Sequence, residues 1–239
     1  MMTEVGIRPD MKLIEFENSS ALDTALVSKV TELLIGAINK RGSASLVVSG
    51  GRTPLAFFHL LSQQVLDWSK VVVTLADERW VDADHSDSNE KLVRENLLIN
   101  EAHAAEFIPL KNAAIDAAEG ESQTESDIEL MGQFTIVILG MGDDGHTASL
   151  FPGAKTLALG LDMNSGRTAI AVTPTAAPHQ RMTLTLPRLL NSRHIIIHIS
   201  GASKQDVLKA AQAGEDITEL PIRAILNQQV APLLIFWTK

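Results

Sequence analysis

The fold is decided by the stretch FTIVILGMGDDGH, residues 134–146. It opens with an apolar run of the length of one buried strand and ends in a turn that holds three glycines, two aspartates and a histidine. Two other stretches repeat this design: SLVVSGGRTP at residues 45–54 and VVVTLADER at residues 71–79. Strands that lack polar alternation are typical of a parallel sheet that helices cover on both faces.

Helical spacing of apolar residues fills the intervals between these strands. The first helix is predicted to begin at a capping box formed by Ser20 and Asp23 and to end at Gly42. Further helices are expected at residues 54–62, 89–98, 113–131, 202–213 and 222–227, and later strands at 168–172, 182–184, 194–199 and 233–237. We therefore predict one α/β domain over residues 1–239, with three layers and a mainly parallel sheet flanked by helices.

The composition excludes several classes of protein. Hydrophobic residues make up 45% of the 239 residues and charged residues 21%, so the chain can bury a large core. The absence of cysteine excludes disulfides, thiolate catalysis and zinc–thiolate sites. The formal net charge of −9 argues against a nucleic-acid partner. The N-terminus lacks a signal-peptide pattern and no apolar run could span a bilayer, so we expect a cytoplasmic protein without a membrane partner.

The loop after the first of these strands has the chemistry of a phosphate site. Gly50 and Gly51 allow a ligand to approach the backbone, and the helix that follows offers free N–H groups. Ser49 and Thr53 add hydroxyls, and Arg52 can add a cation. Neither a Walker loop nor a dinucleotide fingerprint is present. A tight turn that only connects a strand to a helix is the alternative.

The loop after the second strand carries three charges in a row. Arg79 can hold an anionic oxygen, while Asp77 or Glu78 can hold sugar hydroxyls or orient the arginine. A surface ion pair that contributes little to stability is the alternative. Arg181 and Lys204 are later cations, each of which would be unremarkable on a surface when taken alone.

The loop after the third strand carries the candidate catalytic residue, His146. An imidazole with an ordinary pKa near 6.5 suits a general base at neutral pH, and Asp144 could orient it. Asp143, Asp144 and His146 could also be metal ligands, but no known metal-site spacing supports this. The serine-hydrolase motif is absent. The other histidines are interpreted as structural or solvated: His59, His85, His103, His179, His194 and His198.

Together the three loops resemble the 6-phosphogluconolactonase family of the pentose phosphate pathway. The resemblance is carried by SGGRTP at residues 49–54, by DERWV at 77–81 with Ser88 and Asn89 downstream, and above all by GMGDDGHTASLFPG at 140–153. RMTL at 181–184, residues 201–204 and residues 220–221 extend it towards the C-terminus.

This resemblance implies a modified Rossmann-like fold, shared with glucosamine-6-phosphate deaminase and ribose-5-phosphate isomerase. It implies a sugar-phosphate lactone as substrate, no metal or organic cofactor, and His146 as the base that activates water. A weak association with the dehydrogenase that makes the substrate is left open. The residues expected to bind substrate or its phosphate are Ser49, Gly50, Gly51, Thr53, Asp77, Arg79, Gly142, Asp143, Arg181 and Lys204. Backbone N–H groups in the glycine-rich turns around Gly142 and Gly145 are candidate oxyanion donors.

Two other functions are considered. A glucosamine-6-phosphate deaminase or isomerase would use a similar turn, but its histidine is typically followed by Ile-Ala-Phe-Asn-Glu-Pro. Residues 147–152 of this chain read TASLFP, which lacks the carboxylate and favours hydrolysis. A non-catalytic sugar-phosphate-binding module is the second alternative. The effector domains of repressors normally accompany a helix-turn-helix, whereas the residues before the first motif predict one clear helix and the chain is acidic.

Overall fold

Seven strands form one parallel sheet in the computed structural model, which describes residues 11–175 and 177–239. Residues 1–10, which hold most of the N-terminus that lacks a signal-peptide pattern, and Ala176 lie outside the described residues. Every neighbouring pair of strands in this sheet is parallel. The strands, in their order across the sheet, are β1 (Met11–Phe16), β10 (Leu233–Thr238), β9 (Ile195–Ser200), β6 (Ile136–Leu139), β2 (Ala44–Val48), β3 (Val71–Leu75) and β5 (Glu106–Ile108).

Helices flank this sheet, which confirms the predicted α/β fold. They are α1 (Ser19–Arg41), α2 (Leu55–Ser62), α3 (Asn89–Asn96), α4 (Ala117–Glu129), α5 (Leu157–Leu161), α6 (Leu186–Leu190), α7 (Ala202–Ala213) and α8 (Ile222–Leu226). The short strands β1 and β5 and the short helices α5 and α6 were not predicted, since a few residues carry too little periodicity. None of the helices in the described part of the chain combines the length and the apolar character that crossing a membrane requires.

The centre of the sheet aligns the strands that precede the candidate loops. Every residue of β2 and β6 is buried, so both strands are held by apolar packing on two faces. In the register of the sheet, Val48 lies opposite both Leu75 and Ile138. The three strands therefore end at the same level, and the loops that follow them lie side by side at one edge of the sheet.

A second sheet departs from the prediction. Asp77, Glu78 and Arg79 were expected in a polar loop, but they form a strand, β4 (Asp77–Arg79). It pairs antiparallel with β8 (Arg181–Leu184), which pairs antiparallel with β7 (Ala169–Val172). The chain passes from one sheet to the other at Ala76, whose N–H donates to the carbonyl of Val48 while its carbonyl accepts from Leu184. Among the described residues, β4 is an edge strand of the second sheet, paired only with β8, and it lies beside the candidate site.

The N-terminus of α1 is capped differently from the prediction. Ser20 is part of the helix, and the N-cap is Asn18, whose Oδ1 accepts from the N–H of Ala21 at 2.9 Å. Asp23 is buried and does not close a capping box. Gly42 ends the helix as predicted, with φ of 84° and its N–H donating to Ile38 at 2.8 Å.

We expect Asn18→Ala to lower the free energy of unfolding by about 1 kcal/mol, because the first turn of α1 loses its side-chain acceptor. Urea denaturation followed by circular dichroism measures this. Ser20→Ala is the matched control and should stay within about 0.5 kcal/mol of the wild type, since Ser20 caps nothing. A larger loss for Ser20→Ala than for Asn18→Ala would restore the capping box to Ser20.

Candidate active site

A cleft of about 250 Å³ opens at the carboxyl ends of β2, β3, β6 and β9. This is the place at which open α/β sheets bind ligands. Most residues predicted from the sequence line it: Ser49, Gly50, Gly51, Thr53, Asp77, Arg79, Gly142, His146 and Lys204. Three further candidates do not line the cleft but each adjoins a residue that does. Asp144 contacts His146, Asp143 contacts Lys204, and Arg181 lies opposite Arg79.

His146 is held by the turn that precedes it. Its Nδ1 lies 2.5 Å from Oδ1 of Asp144, and the same oxygen accepts from its backbone N–H at 3.1 Å. The ring of Phe151 packs against the imidazole, with 4.3 Å between the ring centroids. A carboxylate accepts hydrogen bonds, so Nδ1 carries the proton in this arrangement and Nε2 keeps its lone pair.

Gly142 lacks a side chain at a point where the imidazole of His146 and the carboxylate of Asp144 lie against its backbone. A Cβ atom at Gly142 would lie 2.1 Å from Nδ1 of His146 and 2.5 Å from Oδ1 of Asp144. The N–H of Gly142 donates to the carbonyl of His146 at 2.8 Å, and the N–H of Gly145 donates to the carbonyl of Gly142 at 3.1 Å. Both of these N–H groups therefore close the turn, and the identity of the backbone groups that would stabilise an oxyanion stays a prediction.

Arg79 and Arg181 face each other across the β4–β8 pair. Like charges placed directly opposite are destabilising, so such a pair needs an anion or another compensation. Nη1 of Arg79 donates to the carbonyl of Asp87 at 2.6 Å, and Nη2 of Arg181 donates to that of Pro178 at 3.1 Å.

Both arginines keep donors without a partner. The Nε atoms of Arg79 and Arg181 are buried and have no hydrogen-bond partner among the described residues. The salt bridges of arginines in the described ranges involve Arg94, Arg167 and Arg223 instead. Burial, and then the charge of Arg79, lower the pKa of the Arg181 guanidinium, but its ordinary value is so high that it stays charged. Two cations with spare donors have the chemistry that an anion site needs.

Of the two carboxylates in β4, Asp77 faces the cleft and Glu78 faces away from it. Glu78 is 1% exposed and accepts from the N–H groups of Arg79, Asn89 and Glu90 at 2.7–2.8 Å, so it fixes the start of α3. Burial raises the pKa of the Glu78 carboxyl, although these three bonds oppose the rise. Oδ2 of Asp77 accepts from Oγ of Ser149 at 2.6 Å. Asp77 is thus the carboxylate available to a ligand.

Lys204 lies in the first turn of α7 and pairs with Asp143 at 2.7 Å. This hydrogen bond lowers the pKa of the Asp143 carboxyl. The pair joins the third loop to the end of β9. Arg52 is exposed and does not line the cleft, so the structure separates it from the other cations.

The cleft is also lined by residues outside the predicted set, among them Asn89 and His198. Asn89 is 2% exposed and donates from Nδ2 to the carbonyl of Asp77 at 2.9 Å, while its buried Oδ1 has no partner among the described residues. A Cβ atom at Gly50 would lie 1.9 Å from that oxygen, which explains the glycine there. His198, interpreted as structural or solvated, lies in the cleft wall at the end of β9. The signal for Asn89 was its place in the Ser88–Asn89 motif, whereas nothing in the sequence distinguished His198.

Burial governs the ionisation of His198. It lowers the pKa of the imidazole to about 4 and raises that of the neighbouring Asp23 to about 6. Nε2 of His198 lies 3.6 Å from Oδ1 of Asp23, which is too long for a hydrogen bond. His198 is therefore neutral at physiological pH.

Comparison with known proteins identifies close relatives over nearly the whole chain. A family model described as glucosamine-6-phosphate isomerases/6-phosphogluconolactonase matches residues 17–234. A 6-phosphogluconolactonase of Rhizobium meliloti is 46% identical over 224 residues, which cover 93% of this chain and 96% of that one. One from Pseudomonas putida is 39% identical over 236 residues, with 99% and 96% covered. A crystal structure of a 6-phosphogluconolactonase from Shewanella baltica superposes with a TM-score of 0.94 at 44% identity and covers 98% of this chain and 100% of that one.

We expect Gly142→Ala to displace the His146 imidazole from Asp144, because the added methyl group would overlap both side chains. The measurement is the ¹⁵N and ¹H resonances of the His146 ring, assigned by NMR. Gly140→Ala is the matched control, since a Cβ atom there would meet no atom within 4 Å. Unchanged His146 resonances in Gly142→Ala would mean that the turn can open without disturbing the pair.

Proposed function

Because the chain belongs to the family of glucosamine-6-phosphate isomerases and 6-phosphogluconolactonases, we propose that it hydrolyses 6-phospho-D-glucono-1,5-lactone to 6-phosphogluconate, with His146 as the general base. The protein is a hydrolase of sugar metabolism, as are the relatives that bear this name. The observation that supports the mechanism is the hydrogen bond between His146 and Asp144, because the imidazole that it holds lines the same cleft as Arg79.

His146 would activate the attacking water. Nε2 removes a proton from a water molecule as the water oxygen bonds to the lactone carbonyl carbon, and the carbonyl π electrons move to its oxygen. The tetrahedral intermediate then collapses, the bond from this carbon to the ring oxygen breaks, and the imidazolium returns the proton to that oxygen. The product is an open-chain carboxylic acid with a new hydroxyl group. A lactone is a reactive ester, so activated water is a sufficient nucleophile.

Asp144 would hold His146 in the reactive tautomer and stabilise the imidazolium. Its Oδ1 accepts from both the ring and the backbone of His146, so the ring cannot turn Nδ1 towards the water. The side chain of Asp144 is 53% exposed, so solvent screens its charge. We therefore assign its effect to orientation more than to electrostatic stabilisation.

Backbone donors for the developing oxyanion would come from the Gly50–Gly51 turn. This turn lines the same cleft as His146, whereas the N–H groups of Gly142 and Gly145 are already bonded. Gly51 has φ of 98°, a conformation that orients backbone groups as ordinary residues rarely can. A donor aimed at the oxyanion contributes about 3–4 kcal/mol to transition-state stabilisation.

Arg79 and Arg181 would bind the phosphate, and Asp77 with Asn89 would bind sugar hydroxyls. The free Nε donors of the two arginines suit phosphate oxygens, which also neutralise the opposed charges. The carboxylate of Asp77 and the free Oδ1 of Asn89 are acceptors, as hydroxyl donors require. Anchoring the phosphate away from the reacting carbon supplies binding energy for orientation.

The alternative functions lack support in the site. An amino-sugar isomerase would carry a glutamate within residues 147–152, and this chain has none there. Instead, Ser149 donates a hydrogen bond to Asp77 and Phe151 packs on His146. A cytoplasmic location and a weak association with the upstream dehydrogenase stay predictions.

We expect His146→Ala to lower kcat by about two orders of magnitude or more, because the water loses its base. The lactone is generated in situ from glucose 6-phosphate, and its disappearance is followed at neutral pH with spontaneous hydrolysis subtracted. His59→Ala, which changes an exposed histidine outside the cleft, is the matched control. If wild type and His146→Ala are equally fast, His146 is not the base. If the wild type does no better than buffer, the lactonase assignment fails and amino-sugar phosphates are tested next.

We expect Arg79→Gln to reduce kcat/KM for the phosphorylated lactone by about 10- to 100-fold, because a charge-assisted contact is worth about 1.5–3 kcal/mol. Hydrolysis of glucono-1,5-lactone, which lacks the phosphate, should hardly change. Arg52→Gln, which removes an exposed arginine outside the cleft, should affect neither substrate. An equal loss on both lactones would show that Arg79 supports the structure and does not recognise phosphate.

A further inference from the structure

Two loops outside the cleft bring two imidazoles and a carboxylate together. His85 and Asp87 lie between β4 and α3, and His179 lies between β7 and β8. One ligand atom from each of the three lies within 4.8 Å of the others. Nε2 of His179 is 2.9 Å from Oδ2 of Asp87, and the rings of His85 and His179 meet edge to face with 5.4 Å between their centroids. None of the three lines the cleft.

We propose that this cluster binds one Zn²⁺ ion through His85, Asp87 and His179. Two imidazole nitrogens and a carboxylate oxygen are ligands that Zn²⁺ accepts, and three protein ligands leave a fourth position for water. Tetrahedral zinc with ligand distances near 2.0–2.1 Å separates its ligand atoms by about 3.3 Å. The 2.9 Å contact must widen slightly and the longer separations must close by at most about 1.5 Å, which partly exposed side chains can do.

The backbone holds the cluster in place before any ion arrives. The N–H of Asp87 donates to Nδ1 of His85 at 3.0 Å, which fixes the ring beside Asp87, and zinc bound at this nitrogen would replace that hydrogen bond. His179 has φ of 68°, a left-handed conformation that is uncommon outside glycine, although histidine enters it more readily than most residues. The N–H of Trp80 donates to the carbonyl of Gln180 at 2.7 Å, which ties the two loops together beside the cluster.

The ion would clamp the two loops that hold the opposed arginines. The backbone carbonyl of Asp87 accepts a hydrogen bond from Arg79. The carbonyl of Pro178, next to His179, accepts one from Arg181. The contact between His179 and Asp87 already bridges these loops. Zinc would replace this contact and the hydrogen bond from Asp87 to His85 by three coordinate bonds. Zinc is therefore expected to stabilise the folded protein, since it binds ligands that the unfolded chain does not hold together. This binding does not depend on the proposed function.

The test is isothermal titration of the full-length, EDTA-dialysed protein with ZnCl₂. We expect one ion per chain for the wild type and a loss of affinity of about tenfold or more in Asp87→Asn and in His179→Asn. Asparagine is chosen at residue 179 because it tolerates the left-handed backbone. His103→Asn, which changes an exposed histidine outside the cluster, is the matched control and should bind as the wild type does. His146→Ala should also retain binding.

A second readout separates this site from general effects on folding. Addition of zinc should raise the Tm of the wild type and of His146→Ala but not that of Asp87→Asn. Binding that survives in both Asp87→Asn and His179→Asn, or that disappears in His146→Ala, would overturn the proposal, as would no saturable binding by the wild type. These measurements follow zinc binding and not hydrolysis. They would therefore still test the zinc site if the protein proved not to be a lactonase.

Discussion

The alignment of β6, β2 and β3 is the constraint on which the site depends. Val48 is in register with both Leu75 and Ile138, so three buried strands end together and three polar loops begin at one edge. Apolar packing on both faces fixes this register, because a slip of one residue would shift every side chain in a fully buried strand. The position of His146 relative to the arginines is thus set by the core.

The proposed function requires an acidic chain to bind a phosphate. The net charge of −9 repels a phosphate at long range, so attraction has to come from groups gathered at one point. The second sheet places two cations together, because Arg79 and Arg181 lie opposite each other. Backbone carbonyls of Asp87 and Pro178, which carry no net charge, hold the two guanidiniums in place of carboxylates. Their positive charge is thereby left for a ligand.

The parts of the fold that were predictable have strong local signals. The strand at 71–75 and the helix at 202–213 were predicted with the bounds that the structure has, because long apolar runs and helical spacing fix them locally. The strand at Asp77–Arg79 was not predictable, since only pairing with residues a hundred positions later makes charged residues extend. His146 could be predicted because its glycine-rich turn is a local motif. The cluster of His85, Asp87 and His179 could not, because it joins residues that are far apart in the sequence.

Two histidines reach the cleft, and their surroundings suit them to different tasks. His198 is 6% exposed, and burial lowers its pKa to about 4, so it is a weak base at neutral pH. The side chain of His146 is 30% exposed, which gives water access to the ring, and its Nδ1 is bonded to the carboxylate of Asp144. A general base has to reach the water from which it takes a proton. These surroundings support the proposal that His146 is the base, whereas His198 is part of the cleft wall, where it packs edge to face on Phe57.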